Sequence, residues 1–257
     1  MSRIQNAFQN KKGFVAFVTG GDPSLSVTEE LIYAMEKAGA DLIEIGIPFS
    51  DPIAEGEVIQ EANERALAAG CTTDKLFELV ERVRKTVEIP LAFMTYLNPI
   101  FTYGKEKFMK RCKEVGMDGV IVPDLPFEEK EELEGVCEAH GIDLISLVAP
   151  TSQERIRMIA KEAKGFLYCV SSLGVTGVRS EIKTDIRGMV TLAKEVTDIP
   201  CVIGFGISTP ETAVAMAKDS DGVIVGSAIV KLVAKYKEDS VAPVYDFVKA
   251  MKEAITE

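Results

Sequence analysis

Asp41-Leu-Ile-Glu-Ile-Gly46 is the stretch that decides the fold. In an extended chain successive side chains point to opposite faces, so Ile43, Ile45 and Ile47 share one side while Leu42, Glu44 and Gly46 share the other. The branched apolar side suits packing against helices, and the other side then points into a barrel. Working outward, similar short runs recur at residues 14–19, 90–96, 118–122, 142–148, 166–170, 200–204 and 222–225, giving eight with 41–46.

Between these runs lie segments with helical spacing. In residues 128–139, Leu133, Val136 and Cys137 fall at i, i+3 and i+4 among acidic neighbours. Ser208-Thr-Pro-Glu211 and Thr151-Ser-Gln-Glu154 both fit the S/T-x-x-E capping box. The longest gap, 47–89, holds a Pro-rich loop and two further helices. Strands alternating with helices imply a parallel sheet. An open doubly wound sheet gives the same alternation, but the even unit count and the phosphate features below favour closure. The expected fold is therefore α/β, a single-domain (β/α)8 TIM barrel over residues 1–257, whose length matches the about 250 residues typical of that fold. Residues before Phe14 form either a short helix, with Ile4, Ala7 and Phe8 closing the barrel bottom, or a solvated tail.

Composition narrows the function. With 47% hydrophobic and 27% charged residues the chain reads as soluble, and it has neither an apolar run of roughly 18 residues nor a signal-peptide core, so a cytoplasmic protein is expected. A formal net charge of −11 disfavours nucleic acid and anionic membranes as partners. Five scattered cysteines and one histidine make a metal site or a disulfide framework unexpected.

Glu44 sits near the C-terminal mouth, where active sites of barrels collect. Loss of hydration there raises a carboxyl pKa and suits the group to proton transfer near neutral pH; the alternative is a buried Glu satisfied by neighbouring donors. The loop that follows, Ile47-Pro-Phe-Ser-Asp-Pro-Ile-Ala-Glu-Gly56, adds Asp51 and Glu55. His140 precedes Gly141 at a helix end and reads as structural. Glycine-bearing turns follow the last three strands: Gly174-Val-Thr-Gly177, Gly204-Phe-Gly-Ile-Ser208 and Val225-Gly-Ser-Ala228. Such turns expose backbone N–H groups beside helix N-termini, and together they point to a bound phosphate. Neither a P-loop nor a dinucleotide fingerprint is present, so no nucleotide cofactor is indicated.

In order and spacing, Phe17-Val-Thr-Gly-Gly-Asp-Pro23, Glu44-Ile-Gly-Ile-Pro-Phe-Ser-Asp-Pro52, Gly174-Val-Thr-Gly177 and Gly204-Phe-Gly-Ile-Ser208 resemble the tryptophan synthase alpha subunit family over nearly the whole chain. The PFSDP loop directly after a strand glutamate is the most specific part. The resemblance implies a lyase of tryptophan biosynthesis that splits indole-3-glycerol phosphate into indole and glyceraldehyde 3-phosphate by a retro-aldol reaction. No cofactor is implied in this chain. It implies Glu44 as the acid–base residue and places Glu55 where the family has an aspartate that binds the indole N–H, since Ala54-Glu-Gly56 stands where the family reads ADG.

By the same resemblance Phe17, Tyr96, Tyr168, Thr176 and Phe205 surround the indole and glycerol moieties. Gly177, Gly206, Gly226 and Ser227 hold the phosphate, and Asp124 steadies the loops. A pyridoxal-phosphate-dependent beta subunit is the implied partner, in an αββα complex, with Asp51 and Pro52 facing it. Three other readings remain from the sequence: a stand-alone indole-3-glycerol phosphate lyase, a non-catalytic regulator of the beta subunit, and a barrel isomerase of sugar phosphates.

Overall fold

Strands β1 (Gly13–Thr19), β2 (Leu42–Gly46), β3 (Leu91–Met94), β4 (Gly119–Ile121), β5 (Asp143–Val148), β6 (Leu167–Val170), β7 (Cys201–Gly204) and β8 (Gly222–Val225) pair in parallel and in sequence order, and β8 closes on β1. The computed structural model describes residues 1–170, 186–204 and 206–256. Around the barrel run α1 (Arg3–Asn6), α2 (Leu25–Lys37), α3 (Glu57–Ala68), α4 (Thr73–Val83), α5 (Leu97–Tyr103) and α6 (Lys105–Val115). They continue as α7 (Glu131–His140), α8 (Gln153–Glu162), α9 (Ile186–Lys194), α10 (Pro210–Lys218), α11 (Ser227–Tyr236) and α12 (Val241–Thr256).

The eight strands expected from the sequence are all present, most of them shorter. Pro90 lacks an N–H for the ladder, and Tyr96 belongs to the next element as the N-cap of α5. The capping boxes move by one residue. Thr209, not Ser208, caps α10, because Pro210 occupies the first helical position, where its missing N–H costs nothing; Thr212 returns the bond expected of Glu211. Ser152, not Thr151, caps α8 through Arg155 N, with no reciprocal bond. The helix read over 128–139 begins only at Glu131, after a 3-10 turn over Phe127–Glu129.

Alternation along the strands builds two apolar layers. Ile43, Ile45 and Ile47 join the layer between strands and helices, whereas Leu42 joins Val15, Ala92, Ile121, Ile145, Phe166 and Val202 inside the barrel. The bottom is closed by Ile4 and Phe8, as one of the two sequence readings had it. Phe8 lies 5.8 Å from the Phe166 ring. Two glycines at strand starts make room: a Cβ on Gly13 would sit 2.3 Å from Phe8, and one on Gly119 would sit 2.8 Å from Ile4.

A polar clasp joins the two ends of the chain below this plug. Asp41, 5% exposed, accepts from Phe14 N at 2.7 Å, from Lys11 Nζ at 2.5 Å and from Lys252 Nζ at 2.7 Å. Lys252, on α12, also donates to Lys12 O at 2.8 Å. Asp41→Ala strands a buried backbone donor and takes the counter-ion from two ammonium groups, one of them half exposed. It is expected to lower unfolding free energy by about 2 kcal/mol. A urea titration checks this; an unchanged midpoint would show that the clasp adds nothing.

Candidate active site

At the C-terminal mouth Glu44 enters the barrel from β2, with Phe17 of β1 as its register partner. It is 1% exposed, and neither carboxyl oxygen has a hydrogen-bond partner among the described residues. Burial pushes its pKa up to about 8. The satisfied buried glutamate that the sequence left open as an alternative is thus not what the described residues show. A neutral carboxylic acid stands ready near neutral pH in an apolar enclosure.

Tyr168 points into the same interior from β6 and is buried. Burial foremost, then the nearby Glu44 charge, raises its phenol pKa well above the ordinary value. Its ring lies over β7: a Cβ on Gly204 would meet the Tyr168 hydroxyl at 2.6 Å. Any side chain at 204 therefore displaces Tyr168.

Glu55 is held on the loop between β2 and α3 and is 8% exposed. Its Oε2 accepts from Asn63 Nδ2 at 2.7 Å, and its backbone carbonyl accepts from Gln60 Nε2 at 2.7 Å. Burial, the largest effect, raises its pKa, and the bonds from Asn63 and Tyr96 act in the opposite direction. Tyr96 is a hub for this side of the mouth. Its hydroxyl accepts from Ala54 N at 3.1 Å, its ring lies 5.4 Å from Phe49, and Asp124 accepts from the next residue, Leu97 N, at 2.9 Å. Asp124 thus ties the loop after β4 to the start of α5, the steadying role expected of it. Ser50 Oγ donates to Asp51 at 2.5 Å on the outer part of the Glu55 loop, where Ile53 is 72% exposed.

Phe17, Ile59, Ala62 and Val230 form a small apolar cluster over the mouth, with Met94 against it. Gly226 packs on Phe17, its Cβ position 3.4 Å from that side chain, and precedes Ser227 at the start of α11. No side chain caps that helix. Gly206 has φ +78°, a left-handed conformation open mainly to glycine. Thr176, Gly177 and Phe205 lie outside the described residues. His140 closes α7 and meets Glu106 of α6 at 2.7 Å.

Glu44, Phe17, Tyr168 and Gly226 therefore share the barrel mouth, and Glu55 with Tyr96 forms a second group on its rim. Asn63 was not singled out in the sequence. Its signal was there: Ile59, Ala62, Asn63 and Ala66 fall at i, i+3, i+4 and i+7 on the buried stripe of α3, and an amide in an apolar stripe demands a polar partner.

Residues 4–256 match the family model described as tryptophan synthase alpha chain. A tryptophan synthase alpha chain of Lacticaseibacillus casei is 46% identical over 255 residues, covering 99% of this chain and 96% of that protein. One of Halalkalibacterium halodurans is 49% identical over 241 residues, 93% of this chain and 91% of that protein. Among solved structures, tryptophan synthase subunit alpha of Legionella pneumophila superposes with TM-score 0.90 at 38% identity, over 99% of this chain and 98% of that one. A chain of the tryptophan synthase complex of Pyrococcus furiosus does so with TM-score 0.86 at 34% identity, over 93% and 97%.

Proposed function

The chain belongs to the tryptophan synthase alpha chain family, and from that premise we propose how its barrel mouth, within one domain spanning residues 1–257, does the family's chemistry. It is a lyase that cleaves indole-3-glycerol phosphate to indole and glyceraldehyde 3-phosphate. The observation that carries the mechanism is Glu44, a carboxyl with no hydrogen-bond partner among the described residues, sealed in the barrel, where burial pushes its pKa up to about 8.

An indole ring leaves as a poor carbanion until its C3 is protonated. Glu44, neutral at pH 7, gives its proton to C3, and the ring becomes an iminium at nitrogen. Glu55, ionised, accepts the ring N–H and offsets that positive charge. The Glu44 carboxylate then takes the proton of the glycerol hydroxyl next to the ring. The C–C bond breaks, its electron pair returns to the ring, and an aldehyde remains. Phe17, Tyr96, Tyr168, Thr176 and Phe205 enclose the indole and glycerol parts, while Gly177, Gly206, Gly226 and Ser227 hold the phosphate at the N-terminus of α11. No cofactor enters these steps.

The partner we infer is a tryptophan synthase beta subunit carrying pyridoxal phosphate, in an αββα complex that meets the loop of Asp51 and Pro52. We place the protein in the cytoplasm. No helix among the described residues is long and apolar enough to cross a membrane.

Indole release from indole-3-glycerol phosphate by the purified chain, with and without a beta subunit, tests the reading. Slow release alone and strong activation by the partner are expected; no release in either case would refute it. Ser227→Asp puts a like charge against the phosphate. It is expected to raise KM about tenfold with a smaller change in kcat, about 1.4 kcal/mol of ground-state binding. An unchanged KM would move the phosphate elsewhere.

A further inference from the structure

We propose that Asn63 is a positioning residue for Glu55, fixing by one hydrogen bond the carboxylate that meets the indole N–H. The inference rests on reading Glu55 as that carboxylate. Asn63 is 4% exposed, and its amide donates to Glu55 Oε2 at 2.7 Å. A glutamate has one more rotatable bond than the aspartate its family uses here, so it needs an anchor beyond the loop backbone. The anchor itself is rigid. Ile59 and Ala62, beside Asn63 on α3, pack with Phe17 and Val230. Two residues on, Arg65 grips the buried Asp22 carboxylate with Nε at 2.8 Å and Nη2 at 2.9 Å.

The residue type fits the task. An amide N–H favours the charged form of its acceptor, and the bond is stronger for being charge-assisted. A lysine at 63 would cancel the charge that the developing iminium needs. An aspartate there would set two carboxylates side by side and drive one to hold a proton. A leucine would leave Tyr96 alone to counter burial at Glu55.

The test is a double-mutant cycle read by indole release. Asn63→Leu is expected to lower kcat/KM roughly tenfold or more, the worth of a hydrogen bond to a charged group, mainly through kcat. In a Glu55→Gln background the same change is expected to cost less than about twofold, because the charge it serves is gone. Equal losses in the two backgrounds, or no loss in either, would overturn the proposal. Asn63→Asp, nearly the same shape, serves where the leucine variant does not fold. It is expected to move the acidic limb of the kcat/KM profile to higher pH, and an unmoved limb would overturn the proposal as well. Normal activity of Glu55→Gln alone would refute the reading of Glu55 itself, an outcome separate from failure of Asn63.

Discussion

Glu44→Gln is expected to lower turnover of indole-3-glycerol phosphate about a thousandfold while the barrel stays folded, since general acid–base catalysis contributes roughly 10²–10⁴-fold. The amide has the shape of the acid but no proton to give C3 and no basicity to take one back. Wild-type kcat/KM is expected to fall as pH rises through about 8, where the folded acid loses its proton. The variant's residual rate should show no such limb. Activity within about tenfold of wild type would end the mechanism.

Stability is expected to change in the opposite sense. Folding raises the Glu44 pKa from 4.5 to about 8. Below 4.5 both folded and unfolded chains hold the proton, and the group has no effect. Between 4.5 and about 8 only the unfolded chain releases it, so the folded state is progressively disfavoured; above about 8 the penalty is constant. At pH 7 the interval is about 2.5 units, or roughly 3 kcal/mol, an upper bound of that order. Glu44→Gln is therefore expected to gain on wild type in urea titrations as pH rises from 5 to 8. A constant difference across that range would show that Glu44 is not held neutral by burial.

Glu55→Gln is the second large effect, a loss of about a hundredfold, the typical cost of removing one preorganised charge partner of a transition state. Glutamine preserves the hydrogen bond from Asn63 and the packing, so the loss isolates the charge. Glu55 must be ionised while Glu44 is protonated, two carboxyl groups in different environments with different duties. Burial alone holds Glu44 up, while Asn63 and Tyr96 counter burial at Glu55. A bell-shaped kcat/KM profile follows, and Glu55→Gln should lose its acidic limb. Retention of that limb would assign it to another group.

Much of this was legible from residue patterns whose cause is local. Period-two alternation placed Glu44 inside and Ile43, Ile45 and Ile47 outside, because strand geometry leaves no other choice. His140 before Gly141 announced a helix end for the same reason: the left-handed turn there favours glycine. The helix caps slipped by one residue because Ser208 and Thr209, or Thr151 and Ser152, are equivalent by composition, and backbone geometry chooses between them. Contacts between residues distant in sequence were not legible. Ala54 N meets Tyr96, Leu97 N meets Asp124 and Arg65 meets Asp22, each a long-range match that only the closed barrel brings about.

The clasp at Asp41 bears on how the chain is made. Lys252 stands near the far end of the sequence, yet it donates to a carboxylate between the first and second strands. A nascent chain emerging from the ribosome has Lys11 and Asp41 together early, but it gains α12 only after all eight strands have been made. Until then the Asp41 carboxylate lacks its better-buried cation. Final locking of the barrel therefore waits for α12, and a chain stopped short of residue 241 leaves the faces of α2 and α10 that α12 covers open to chaperones or proteases.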